Sequence, residues 1–86
     1  MYLHLGQDYI VPLQSVVAVF DMDTATVSKR TAALLTRLQA EGRILELYDD
    51  LPRAAVLCDS ALGETLYLTG VSSQALQRRA EKAYAI

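Results

Sequence analysis

The chain has 86 residues, 52% of them hydrophobic, with a formal net charge of -2 and a calculated isoelectric point near 5.1. A chain this short encloses one core, so a single domain spanning residues 1–86 is expected, and the apolar content excludes a disordered polymer. The acidic balance supplies no general attraction to nucleic acid or to anionic membrane, so any phosphate contact must come from a local basic patch.

Residues 2–5 (YLHL) alternate and are closed by Gly6, which with Gln7 and Asp8 reads as a hairpin turn into YIVPL. Pro12 cannot donate to a strand ladder and marks an edge or bulge. The run from Ser15 to Phe20 is continuously apolar after its first residue, which predicts a strand covered on both faces at the centre of a sheet. Asp23, Thr24 and Thr26 are candidate N-caps for a helix whose stripe is Val27, Thr31, Leu34, Leu35 and Leu38, running to about Glu41 with Gly42 as its left-handed C-cap. Strand-like runs at 44–48 and 54–58 are separated by the turn Asp49-Asp50-Leu51-Pro52-Arg53. A strand at 65–69 follows a turn around Gly63, and Ser72 or Ser73 caps a last helix with Leu76, Ala80, Ala83 and Tyr84 on its apolar side. The expected order is ββαβββα. The expected class is a small α+β domain with an antiparallel or mixed sheet, a long amphipathic helix and a C-terminal helix. So small a core favours completion by self-association.

Few residues invite chemistry. The segment VAVFDMDT resembles the first motif of haloacid-dehalogenase phosphatases, in which one aspartate attacks phosphorus and a second handles the proton beside magnesium. Here Asp21 and Asp23 would take those places, with Asp49 and Asp50 imitating a later acidic pair. Thr24 stands where that motif has glycine, and the chain is short for the doubly wound sheet it uses. Helix capping by Asp21 and Asp23 is the simpler reading. His4 is the single histidine and Cys58 the single cysteine, each in a strand without an evident orienting group, so neither a catalytic nucleophile nor a metal or cofactor site is expected. The lone cysteine, the absence of a basic leader and the lack of a span-length apolar run point to a cytoplasmic protein with no membrane insertion. Tyr48 and Tyr67 are strand tyrosines without an accompanying RNA-binding motif and are expected to pack.

Cations are more informative. Lys29 and Arg30 lie in the first turn of the long helix, where positive charge opposes the helix dipole. Either neighbouring carboxylates neutralise them or they meet phosphate. Arg37 lies one heptad beyond Arg30. Arg78, Arg79 and Lys82 cluster near the end of the last helix, where the dipole favours cations for structural reasons alone.

The stretches MYLHLGQDYIVP, VAVFDMDTATVSKR, LPRAAVL and YLTGVSSQALQRRA resemble the RemB branch of the bacterial extracellular matrix regulator RemA/RemB family. The specific marks are Tyr-x-His-x-Gly at residues 2–6, Thr-Val-Ser-Lys-Arg at the helix start, and Ser-Ser-x-x-Leu-x-x-Arg in the last helix. The resemblance implies a non-enzymatic, ring-forming regulator of transcription, whose RemA-like relatives grip DNA with arginines and activate biofilm matrix genes. It also implies an arginine-rich loop before the strand at 54–58. This chain has Asp49-Asp50-Leu51-Pro52-Arg53 there, with only Arg53 basic, and Ser15 stands about where a further arginine is expected. The DNA-contact candidates are therefore Lys29, Arg30 and Arg53, with Arg78 and Arg79 in reserve. Weak, repeated backbone contacts around a ring would add through avidity. The alternative is a ring that binds protein partners and no DNA.

Overall fold

The computed structural model of the protein describes residues 1–22 and 29–84. The first two strands, β1 (Tyr2–Gly6) and β2 (Tyr9–Pro12), form the expected antiparallel hairpin. Its turn places Gln7 and Asp8 at φ of 50° and 62°, the left-handed pair that matches strand twist in a two-residue hairpin. The register slips between His4 and Gly6, so Leu5 is a bulge residue without a Cα partner in β2.

Pro12 closes β2, and Leu13–Ser15 form a single 3-10 turn in which the Ser15 hydroxyl donates to the Pro12 carbonyl at 2.7 Å. This turn splits residues 9–20 into two strands, so three strands precede the first helix rather than the two of the ββαβββα order. The third is β3 (Val16–Asp21); after it come α1 (Lys29–Ala40), β4 (Ile44–Leu47), β5 (Ala54–Ser60), β6 (Gly63–Thr69) and α2 (Ser73–Tyr84). Gly42 has φ of 69° just past α1, in the C-cap conformation expected of it. The cap candidates Asp23, Thr24 and Thr26, and Val27 of the apolar stripe, lie outside the described residues, as do the side chains of Thr31, Ala83 and Tyr84.

The second sheet is mixed and runs β3-β5-β6-β4, with β4 parallel to β6 and the other neighbours antiparallel. The run from Val16 to Phe20 is therefore an edge strand, not the central one. Its neighbour β5 takes the central place: Ala54, Ala55, Val56, Leu57 and Cys58 are all buried. Small side chains at 54 and 55 let layers close in from both sides. On one face the hairpin, the 3-10 turn and α2 bring Leu3, Leu5, Val11, Leu13 and Leu76 against Ala54, Val56 and Cys58. On the other, α1 brings Leu38, Leu34 and Leu35 against Ala55, Leu57 and Leu66. The result is three layers, with a core on each side of the sheet.

Two polar arrangements lock these layers. Ser72 caps α2 by accepting the Ala75 N–H on its Oγ at 3.1 Å. Thr69, fully buried at the end of β6, donates its hydroxyl to the Leu5 carbonyl and accepts the Val71 N–H at 3.1 Å. The bulge residue Leu5 thus supplies the acceptor that joins hairpin, sheet and the approach to α2.

Candidate nucleic-acid interface

The C-terminal turn of α1 is fixed at one end of the sheet. Arg37 contacts Glu64 at 2.8 Å and Glu41 at 3.7 Å, while Arg43 donates to the carbonyls of Leu62 and Glu64 at 2.9 and 3.2 Å. Glu64 holds the Arg37 guanidinium pKa above its ordinary value through a hydrogen bond and direct charge attraction. Arg37 therefore ties α1 to β6, and its spacing from Arg30 does not make it a phosphate contact.

Because that turn is held beside Glu64, the opposite turn of α1, carrying Lys29 and Arg30, points toward the end of the sheet where β3 and β6 finish. Arg53 is at this end as well: its N–H donates to the Thr69 carbonyl at 2.8 Å, and its carbonyl accepts the Met22 N–H at 2.9 Å. All three side chains are exposed, and the first turn of α1 holds no acidic residue. The fold thus brings the three leading DNA-contact candidates, Lys29, Arg30 and Arg53, to one end of the molecule.

The acidic pair shares that end. Asp49 and Asp50 are exposed in the loop before β5, and Asp49 Oδ1 accepts a hydrogen bond from Gln7 Nε2 at 3.2 Å. That bond brings the hairpin tip, with Asp8, beside the loop. Asp21 is half-buried at the end of β3 and, like Arg53, is engaged within the protein. The local field is therefore mixed, with carboxylates beside cations, rather than a uniform basic stripe. Ser15 lies half-buried in the 3-10 turn and adds nothing to this surface.

Compared with known proteins, the chain matches no protein-family model and no curated sequence.

Arg78 and Arg79 lie apart from the first three on α2, both exposed. Arg79 has a specific tie: its Nη1 donates to the His4 carbonyl at 3.0 Å, covering the outer edge of β1. Sequence separation of 75 residues hides that bond from any local pattern. Tyr67 stands against Tyr9 with ring centroids 5.3 Å apart and an interplanar angle of 46°, and packs on the hairpin-side core, so it presents no stacking platform. Burial, with the hydrogen bond to Tyr9 added, pushes its pKa up to about 12. Cys58 is buried and its thiol pKa is raised by burial, against an opposing hydrogen bond from Ser15.

The phosphatase motif meets a different context. Asp21 ends an edge strand antiparallel to β5, whereas the motif's nucleophile belongs to a doubly wound parallel sheet; Asp23 lies outside the described residues. Among the described residues, no three His, Cys, Asp or Glu side chains converge as a metal cage, and no helix is long and apolar enough to cross a membrane.

Proposed function

We propose that this chain is a non-enzymatic, self-assembling regulator of transcription of the RemB-like kind, working in the cytoplasm and forming a closed ring whose subunits each offer weak contacts to the DNA backbone. The observation that carries self-assembly is the pair of edge strands with exposed apolar side chains, β4 carrying the exposed charge of Glu46 as well. On β3, Val17 is 61% and Val19 40% exposed, and on β4 Leu45 is 41% exposed. Monomeric proteins protect such edges with charge, proline or a covering segment. The register slips between Val16 and Ala18, leaving Val17 without a partner in β5, and a groove of about 460 Å³ runs alongside, bordered by Leu13, Val16, Val19, Leu76 and Ala80 and also by Asp21, Ser73 and Gln77. Two different edges meeting head to tail form a heterologous contact, which closes into a ring when its rotation permits.

The same contact would repeat Lys29, Arg30 and Arg53 around the assembly, and avidity would then offset few cations per subunit. Sequence preference would come from duplex shape and bendability more than from base contacts. Asp49 and Asp50 favour a second reading, a ring that docks protein partners without DNA, because carboxylates beside the cations repel phosphate. The test of assembly is the molar mass by light scattering of wild type and of the variant Val17→Lys, Val19→Lys. These valines are exposed within the subunit, so the change should alter subunit stability by only about 0.5 kcal/mol per site. Wild type is expected as a multiple of the subunit mass and the variant as a folded monomer; a monomeric wild type contradicts the proposal.

A further inference from the structure

Between the outer edge of β1 and the second half of α2 lies an open cleft of about 660 Å³, whose walls include Tyr2, His4, Arg79 and Lys82, with Gln7 and Asp8 at its hairpin end. That volume falls within the range of small-molecule sites, roughly 300–1,000 Å³. Three features set it apart from an ordinary solvated surface.

First, its two cations form no close ion pair among the described residues, although Asp8 lines the same cleft. Arg37 and Arg43 have glutamates within 4 Å, whereas neither Arg79 nor Lys82 has a carboxylate partner among the described residues. Second, Arg79 is oriented without losing its charge. One nitrogen donates to the backbone carbonyl of His4 at 3.0 Å, which fixes the guanidinium at the cleft wall and leaves most of its five N–H donors unused. A guanidinium held this way is suited to bidentate recognition of a phosphate, with Lys82 as a second, less directional charge. Third, Tyr2 is 61% exposed and lines the same cleft. An aromatic ring left unpacked beside two cations matches a ligand that is flat at one end and anionic at the other. Asp8 and Gln7 at the hairpin end supply acceptors suited to hydroxyl or amino groups.

We infer that this cleft binds a small phosphomonoester of the mononucleotide class, its phosphate held by Arg79 and Lys82, its base on Tyr2, and its sugar hydroxyls toward Asp8 and Gln7. The site uses none of Lys29, Arg30 and Arg53, so it stands or falls apart from the duplex reading.

The experiment is a titration of the full chain, followed by amide ¹H–¹⁵N spectra, with AMP, adenosine and inorganic phosphate as separate probes. AMP is expected to give saturable shifts at residues 2–8 and 79–82, with adenosine and inorganic phosphate each binding at least about tenfold more weakly. Lys82→Gln and Tyr2→Ala, both at exposed positions, should each weaken AMP about fivefold or more while keeping the wild-type thermal melt, and Lys29→Ala with Arg30→Ala should leave AMP binding unchanged. Arg79→Lys should weaken AMP as well, by removing the fork; its melt reports separately on the tie to β1. Absence of saturable shifts with AMP up to ~10 mM would overturn the inference. So would shifts mapping elsewhere, or inorganic phosphate binding as tightly as AMP with Tyr2→Ala having no effect.

Discussion

Thr69→Val is the substitution that tests most sharply how the three layers are joined. Valine keeps nearly the volume and β-branching of threonine, so the strand and the packing around it stay as they are. What disappears is one hydroxyl that serves two groups: it donates to the Leu5 carbonyl and accepts the Val71 N–H at 3.1 Å, in a place with no solvent exposure. Each group left without a partner costs about 1–3 kcal/mol, and the added methyl returns about 0.8 kcal/mol. The net loss is therefore about 1–5 kcal/mol, out of the ~4–13 kcal/mol typical of a domain this size. Thr69→Ser retains the hydroxyl and removes one buried methyl, at a cost of about 1 kcal/mol. Urea denaturation followed by far-UV circular dichroism, at one fixed subunit concentration because assembly shifts apparent stability, measures both. The expected order of midpoints is wild type, then serine, then valine, at constant slope. A valine variant as stable as wild type, or more stable than the serine variant, would refute the idea that this hydroxyl joins the hairpin to the sheet.

A second prediction concerns the β5–β6 turn. Gly63 has φ of 107°, and a Cβ there would stand 2.7 Å from Arg43 Nη1, so Gly63→Ala should cost about 1–3 kcal/mol of backbone strain and displaced hydrogen bonds. Gly42→Ala, at φ of 69° with open space around it, should cost about 1 kcal/mol; thermal melts reversing that order would contradict the packing described. A third follows from Tyr67, whose folded pKa of about 12 lies above its ordinary value of 10. The folded state holds this proton more tightly than the unfolded chain, so the contribution is complete below pH 10 and is lost as pH rises through 12. Ultraviolet titration of wild type and Tyr67→Phe should show the missing tyrosine to be one that ionises late; loss of an early-ionising phenol would contradict it.

Much of the chain's local structure was legible because it follows from single residues: the turn from Gly6, Gln7 and Asp8, the C-cap from Gly42, the N-cap from Ser72. The place of Val16–Phe20 was not. A continuous apolar run says that both faces avoid water, and does not say whether a core or a neighbouring molecule covers them. The true centre, Ala54–Cys58, hid behind two alanines, whose value lies in letting two layers approach. The split after Pro12 was foreshadowed by the proline, while the turn that follows it depends on the Ser15 hydroxyl reaching back to the Pro12 carbonyl. In the candidate site, the cations at 29, 30 and 53 were named from sequence, but their gathering at one end depends on Arg37 and Arg43 anchoring the far end of α1. The bonds from Arg79 to His4 and from Thr69 to Leu5 join residues more than 60 positions apart, beyond the reach of any local pattern.

Fluorescence anisotropy of a labelled AT-rich duplex of a few helical turns, titrated with the protein at several salt concentrations, tests the proposed function most directly. Binding at low salt that falls linearly on a log-log plot is expected, with a shallower slope after Lys29→Ala and Arg30→Ala. No binding at low salt by an assembled wild-type protein would contradict the DNA reading and leave Asp49 and Asp50 as the mark of a protein-docking ring.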